Sequence, residues 1–179
     1  MRIKNYSYKT LLIGYLVLLS SCNQRLDFVQ KYMENYPDLA GNKLELISDL
    51  PNLNKINNVL NFTSSKYKII CTGYMECSPC IARLIECQKF LLNNKKLHEK
   101  IDVFFIVSGK KSDYFEYQLE QNNFSFPILY DSTSSFITNN GLENYDKEVF
   151  LINEKNEIIL VGSPFNNTVL EKYYKQTIQ

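Results

Sequence analysis

From Lys66 to the C-terminus the chain alternates short apolar runs with longer segments of helical period, and that alternation restricts the fold more than any other feature. Tyr67–Cys71 is a short apolar run that reads as a strand. Beyond it, apolar residues fall at Ile81, Leu84, Ile85, Leu91 and Leu92, with Cys80, Cys87 and Phe90 thickening the same face. Spacings of three, four and seven predict an amphipathic helix from Ser78 to about Asn93. Ile101–Val107 is almost continuously apolar, as expected of a strand covered on both faces. Ser112–Gln121 predicts a helix, Phe126–Tyr130 a strand, and Ser132–Asn140 a helix that stops near Gly141. Glu148–Ile152 and Ile158–Val161 predict a hairpin across a polar turn, and Thr168–Ile178 a closing helix. The order β-α-β-α-β-α-β-β-α predicts an α/β domain, a central mixed sheet flanked by helices with right-handed crossovers. Upstream the pattern is weaker. Gln24–Tyr36 reads as a short helix or tether ended by Pro37, Leu44–Ile47 as a short strand, and the Asn-rich Pro51–Leu60 has no dominant period.

The N-terminus reads as a targeting segment. Arg2, Lys4 and Lys9 precede the uncharged run Leu11–Leu19. As a helix those nine residues span only about 13 Å, too short for a bilayer core of about 30 Å. The run ends in Leu19-Ser20-Ser21-Cys22, which resembles the bacterial lipobox: an aliphatic residue, two small residues, then the cysteine that receives lipid. The resemblance implies that residues 1–21 are removed and that Cys22 anchors the protein to a membrane through acyl chains. Residues 22–43 then form a tether with a short helix, and 44–179 the α/β domain. The 158 residues remaining suffice for one core. They carry 17 basic and 19 acidic side chains, a net charge of −2, with no long basic run, which argues against a nucleic-acid partner.

Export sets the chemistry available to the cysteines, because disulfides persist outside the cytoplasm. With Cys22 lipidated, Cys71, Cys77, Cys80 and Cys87 remain. Cys77 and Cys80 form a CxxC at the start of the predicted helix, and that spacing suits a redox pair, a structural disulfide or half of a metal site. Zinc takes about four ligands; Cys71 and Cys87 lie outside any second CxxC and are expected to pack as small apolar groups in the strand and on the helix face. His98, the sole histidine, is expected to be a solvated surface residue.

A strand, a CxxC opening a long helix, further βα units, then a hairpin and a last helix resemble the thioredoxin-like fold. The resemblance is to its exported, membrane-anchored TlpA/ResA-like branch. Phe126–Leu142, "FPILYDSTSSFITNNGL", is similar to the strand and helix inserted in that branch between the CxxC half and the C-terminal hairpin. "VFLINEKNEII" is similar to the branch's hairpin, with Asn153 in place of Asp and Asn156 in place of Gly. Asn tolerates a left-handed backbone better than most residues. The resemblance implies a thiol–disulfide oxidoreductase in which Cys77 attacks and Cys80 resolves, with Ser78 and Pro79 tuning the pair and Tyr74 lining its surroundings. It implies an envelope protein with a disulfide as substrate, a membrane-bound thiol as electron donor, the reducing direction, and no organic cofactor or metal. The alternative is a non-catalytic binding lipoprotein that keeps the fold with a structural Cys77–Cys80 disulfide. Neither cysteine is preceded by the Pro-x-x-x-Thr-x-x-Cys setting of a peroxiredoxin.

The chain departs from the branch at four places. Glu76 stands where Trp usually precedes the first cysteine, and a carboxylate there opposes a thiolate on Cys77. Arg83 replaces the acidic residue three positions after Cys80; a cation one turn away favours a thiolate but takes up no proton. Ile85 replaces a Pro, which predicts a straight helix. Lys147 stands where the fold places a cis-proline across from the CxxC. A non-proline cis bond costs about 2.5–4 kcal/mol, so a trans peptide and an altered groove are expected.

Overall fold

A computed structural model describes residues 29–47, 49–53, 65–145 and 148–178. The chain divides into two compact units, residues 1–37 and 38–179. In the first, residues 29–33 are helical. The proposed signal, Cys22 and Lys147 lie outside the described residues.

The second unit is built on a five-stranded sheet in the order β3-β2-β1-β4-β5. Its strands are β1 (Tyr67–Tyr74), β2 (Ile101–Ser108), β3 (Ile128–Asp131), β4 (Val149–Asn153) and β5 (Ile158–Val161). The first three are parallel, whereas β4 runs antiparallel to β1 and β5 antiparallel to β4. The helices are α1 (Ser78–Asn93), α2 (Lys95–His98), α3 (Asp113–Gln121), α4 (Ser135–Asn139) and α5 (Thr168–Ile178). The sheet is thus mixed and flanked by helices, with β3 and α4 inserted before the hairpin, as expected.

β1 is central because six of its eight residues are buried, with side chains alternating between the two faces. Cys71 and Gly73 face α1, and Thr72 lies between them. β1 runs three residues beyond the expected Cys71, since its register with β2 continues to Tyr74↔Ser108. β3 starts later than expected, at Ile128: Pro127 has no N–H to give the ladder, and Asn52 and Leu53 pair outside Ile128 and Leu129. α4 is shorter than the expected Ser132–Asn140. The buried Asp131 ends β3 and accepts from Ser135 N (3.0 Å) and Phe136 N (2.7 Å), so the chain turns before the helix begins. No strand forms at Leu44–Ile47. The segment before it hydrogen-bonds along β5, through Gly41 N to Ile158 O (3.1 Å), Ile158 N to Asn42 O (2.9 Å) and Leu44 N to Asn156 O (2.8 Å), and then leaves the edge. Asn156 has φ +65°, the left-handed turn residue of the hairpin, and its side chain accepts from the buried Lys68 Nζ at 3.0 Å.

Candidate active site

The C-terminal ends of β1 and β2 and the start of β4 meet at one end of the sheet. β1 leaves it through Met75, whose N–H donates to Ser108 O at 3.0 Å, and the chain turns so that Cys77 N donates to Tyr74 O at 3.2 Å. Cys77 is the N-cap of α1: it is extended (φ −95°, ψ 97°), its carbonyl accepts the first helical bond from Ile81 N, and its sulfur accepts from Cys80 N at 3.3 Å. The sequence places this sulfur at the first turn; the structure places it one position earlier, capping the turn. Pro79 sits at the beginning of the helix, where a missing N–H costs nothing.

Cys77 and Cys80 are joined in a disulfide with Cα atoms 5.2 Å apart. Their surroundings differ sharply. Cys77 is half-buried, with Ser78 and Pro79 exposed beside it, whereas Cys80 is only 1% exposed. Cys80 packs on Gly73, and a Cβ there would stand 2.9 Å from the Cβ of Cys80. The helix can therefore lie this close to the strand only because residue 73 has no side chain. Tyr74 is half-buried at the end of β1.

Glu76 does not stand free beside Cys77. Its carboxylate reaches across to the β2–α3 loop and accepts from Lys110 N at 2.6 Å. It lies against Gly109, whose φ of +92° disfavours any side chain and where a Cβ would displace the carboxylate. Tyr130 Oη donates to Gly109 O at 3.0 Å, and Lys111 Nζ sits 5.4 Å from the Tyr130 ring. The carboxylate next to Cys77 is thus a clamp between the CxxC turn and the neighbouring loop.

Behind the disulfide, Arg83 lies one turn along α1 and is partly buried, with Nη1 inaccessible and without a hydrogen-bond partner among the described residues. Across the sheet, Glu148 immediately precedes β4. Its carbonyl accepts from Thr72 N (3.1 Å) and Thr72 Oγ1 (3.0 Å), which seats it beside the strand that carries Gly73. Burial pushes the Glu148 carboxyl above its ordinary value, and the Arg83 charge pulls it partly back. Cys71 and Cys87 are fully buried, and Cys87 is driven well above the usual thiol range by desolvation and then by its hydrogen bond with Cys71. Among the described residues no group of three or more metal-ligating side chains comes together. His98 is exposed at the end of α2, with its ring edge-on to Phe126.

No protein-family model matches this sequence, and no curated protein does. Solved structures do match. A candidate thiol:disulfide interchange protein DsbE from Chlorobium tepidum superposes with a TM-score of 0.61 at 16% identity, over 79% of this chain and 99% of that one. The fold is thioredoxin-like. The thioredoxin domain of a thiol-disulfide oxidoreductase from Bacteroides vulgatus gives 0.55 at 16% identity, over 78% and 98% of the two chains. A peroxidoxin, BcpB from Mycobacterium tuberculosis, gives 0.56 at 12% identity, over 79% and 98%. At these identities the likeness is one of fold, and the chemistry of this chain is read from its own residues.

The structure brings Tyr74, Glu76, Cys77, Ser78, Pro79, Cys80 and Arg83 to one end of the sheet. Three residues of that end are not among those the sequence singles out: Gly73, Gly109 and Glu148. Gly73 had a signal, a glycine between an apolar strand and a CxxC. Glu148 had a weaker one, a carboxylate at the start of the hairpin strand.

Proposed function

We propose that this protein is a lipid-anchored, extracytoplasmic thiol–disulfide oxidoreductase of the TlpA/ResA type, working through Cys77 and Cys80. The observation that carries the reading is the asymmetry of the pair. The more accessible sulfur caps a helix and accepts a backbone N–H, and the other is sealed behind it against a glycine. Unpaired N–H groups and the helix dipole favour an anion at Cys77, and thiol–disulfide exchange is carried by the thiolate.

In the reducing direction the Cys77 thiolate attacks one sulfur of a partner disulfide and expels the other as a thiolate. A mixed disulfide results. The Cys80 thiolate then attacks Cys77, closes the Cys77–Cys80 bond seen here and releases the partner's second sulfur, so the partner gains two electrons. A membrane-bound dithiol donor reopens the bond by attacking Cys77 and becomes a disulfide itself. The substrate is an envelope protein carrying a disulfide. Cys22 supplies the membrane anchor.

A titration in defined redox buffers, read by alkylation and mass mapping of each cysteine, tests the reading. Cys77 and Cys80 should interconvert with a midpoint between about −120 and −270 mV, the span of known exchangers. Cys77→Ser should abolish exchange, and Cys80→Ser should accumulate the mixed disulfide. A bond that resists reductant until the protein unfolds would instead mark a structural disulfide in a binding lipoprotein.

A further inference from the structure

A cavity of about 820 Å³ opens where α1 ends, and lysines dominate its lining. Lys95 and Lys96 come from α2, Lys100 from the turn before β2, and Lys175 from α5. Among the described residues no acidic side chain lines it, and Lys95, Lys96 and Lys100 make no ion pair. Glu99, exposed beside Lys100, lies outside the lining. Lys175 is held in place by Glu171 Oε1 at 2.6 Å, with its Nζ 6.0 Å from the centre of the Phe90 ring. Leu92, 47% exposed, adds an apolar surface to the same cavity. The whole chain is nearly balanced, with 20 basic and 19 acidic residues, so this concentration of one sign is local. Like charges gathered without acids among them repel, and packing alone does not call for them. The carbonyl end of α1 draws cations, but it accounts for neither the cavity nor the lysine that reaches it from α5. The 16 residues of α1 separate this end from Cys77 by about 24 Å, out of reach of the disulfide chemistry.

We propose that this cavity is a second binding site, separate from the disulfide, for a ligand that carries a phosphate group. Its volume is that of a small-molecule site. The lysines select the sign of the ligand and its charge. Three unpaired ammonium groups, each with three N–H donors, suit a group with close to two negative charges and three acceptor oxygens. A phosphate monoester has both, and a single carboxylate has neither. Charge-assisted bonds from Lys95, Lys96 and Lys100 would hold the phosphate, and the exposed Asn93 carboxamide adds a neutral donor at the edge. Leu92 lies where the body of the ligand leaves the lysines, so an apolar body gains by covering it. A soluble phosphate ester and the headgroup of a phospholipid share this chemistry.

The test titrates the full-length protein with two probes that share one phosphate: glycerol 3-phosphate and its dihexanoyl ester, a short-chain phosphatidic acid kept monomeric. The titrations are run at about 0.15 M salt, where distant charges are screened. Calorimetry reads the affinity, and amide chemical shifts read the place. At least one probe should saturate, with shifts concentrated at Lys95, Lys96 and Lys100. Lys96→Gln combined with Lys100→Gln, both exposed positions, should weaken that binding about tenfold or more, the loss of two charge-assisted bonds. Tighter binding of the dihexanoyl ester that Leu92→Ser removes would support the proposal with a lipid headgroup as the ligand. Equal binding of both probes would support it with a soluble phosphate ester. Failure of both probes to saturate, shifts equally large at the exposed Lys155, or an unchanged affinity in the double variant would overturn it. The double variant should exchange disulfides at Cys77 at the parent's rate within about twofold, given the 16-residue helix between the two sites. A fall in that rate would overturn the separateness of the two sites.

Discussion

At the scale of single residues, the surroundings of the disulfide divide into what adjacency in sequence reveals and what it does not. Cys77, Ser78, Pro79 and Cys80 were readable because the chemistry lies within one turn of helix. Glu76 was readable as a carboxylate next to a sulfur, but its partner, the Lys110 N–H, is a backbone group 34 residues away that no composition or spacing announces. The clamp separates two roles that substitutions can distinguish. Glu76→Gln keeps an oxygen to accept from Lys110 and removes the charge; Glu76→Ala removes both. Hydrogen exchange at the Lys110 amide should stay slow in the first variant and quicken about tenfold or more in the second, the loss of one charge-assisted bond. In the reduced protein, both variants should alkylate Cys77 faster than the parent, since both remove a like charge. A Glu76→Gln protein with a fast Lys110 amide would show that the contact is not a hydrogen bond that holds the loop.

At the scale of elements, the readable parts were those with a strong period or an unbroken apolar run. α1 and α5 match their expected bounds, Ser78–Asn93 and Thr168–Ile178, because apolar positions repeat along one face. The shorter elements moved. β3 waits for the first residue after Pro127 that can join the ladder, and the expected strand at Leu44–Ile47 has only the neighbouring bridge Lys43↔Glu157. Nothing local records which of two edges a short apolar stretch will meet. The closeness of α1 to β1 was also hidden, because it depends on Gly73 meeting Cys80 across the layer. Gly73→Ala places a Cβ 2.9 Å from the Cβ of Cys80, and neither backbone nor a bonded cysteine yields easily. The expected cost is about 1–3 kcal/mol, read as a lower midpoint in denaturant with an unchanged slope. The Cβ of Cys80 moves only with the helix backbone, so the loss should be about equal in the oxidised and the reduced protein. A clearly smaller loss in the reduced protein would put the strain at the bridged sulfur instead of at the Cβ of Cys80.

For the whole molecule, the order of strands and helices already implied a mixed sheet with its chemistry at one end. The electrostatic balance inside that end did not follow from the order, because Arg83 and Glu148 come together only when α1 lies over β1 and β4 pairs beside it. Glu148 is the group through which this packing reaches global stability. Its carboxyl is raised by burial, so the folded protein holds that proton more tightly than the unfolded chain does. The consequence is opposite to that of a salt-bridged carboxylate: the contribution favours folding below the model-peptide value of 4.5 and is lost as pH climbs from there through the raised folded value. Thermal melts of Glu148→Gln and the parent should therefore diverge with rising pH across that window, the variant gaining relative to the parent, and should differ by a constant below it. Arg83 opposes burial by pulling the carboxyl down, so Arg83→Met should extend the parent's decline to higher pH. A parent whose Tm rises relative to Glu148→Gln across the same window would mean that the Arg83 charge outweighs desolvation and that Glu148 is held ionised at this end of the sheet.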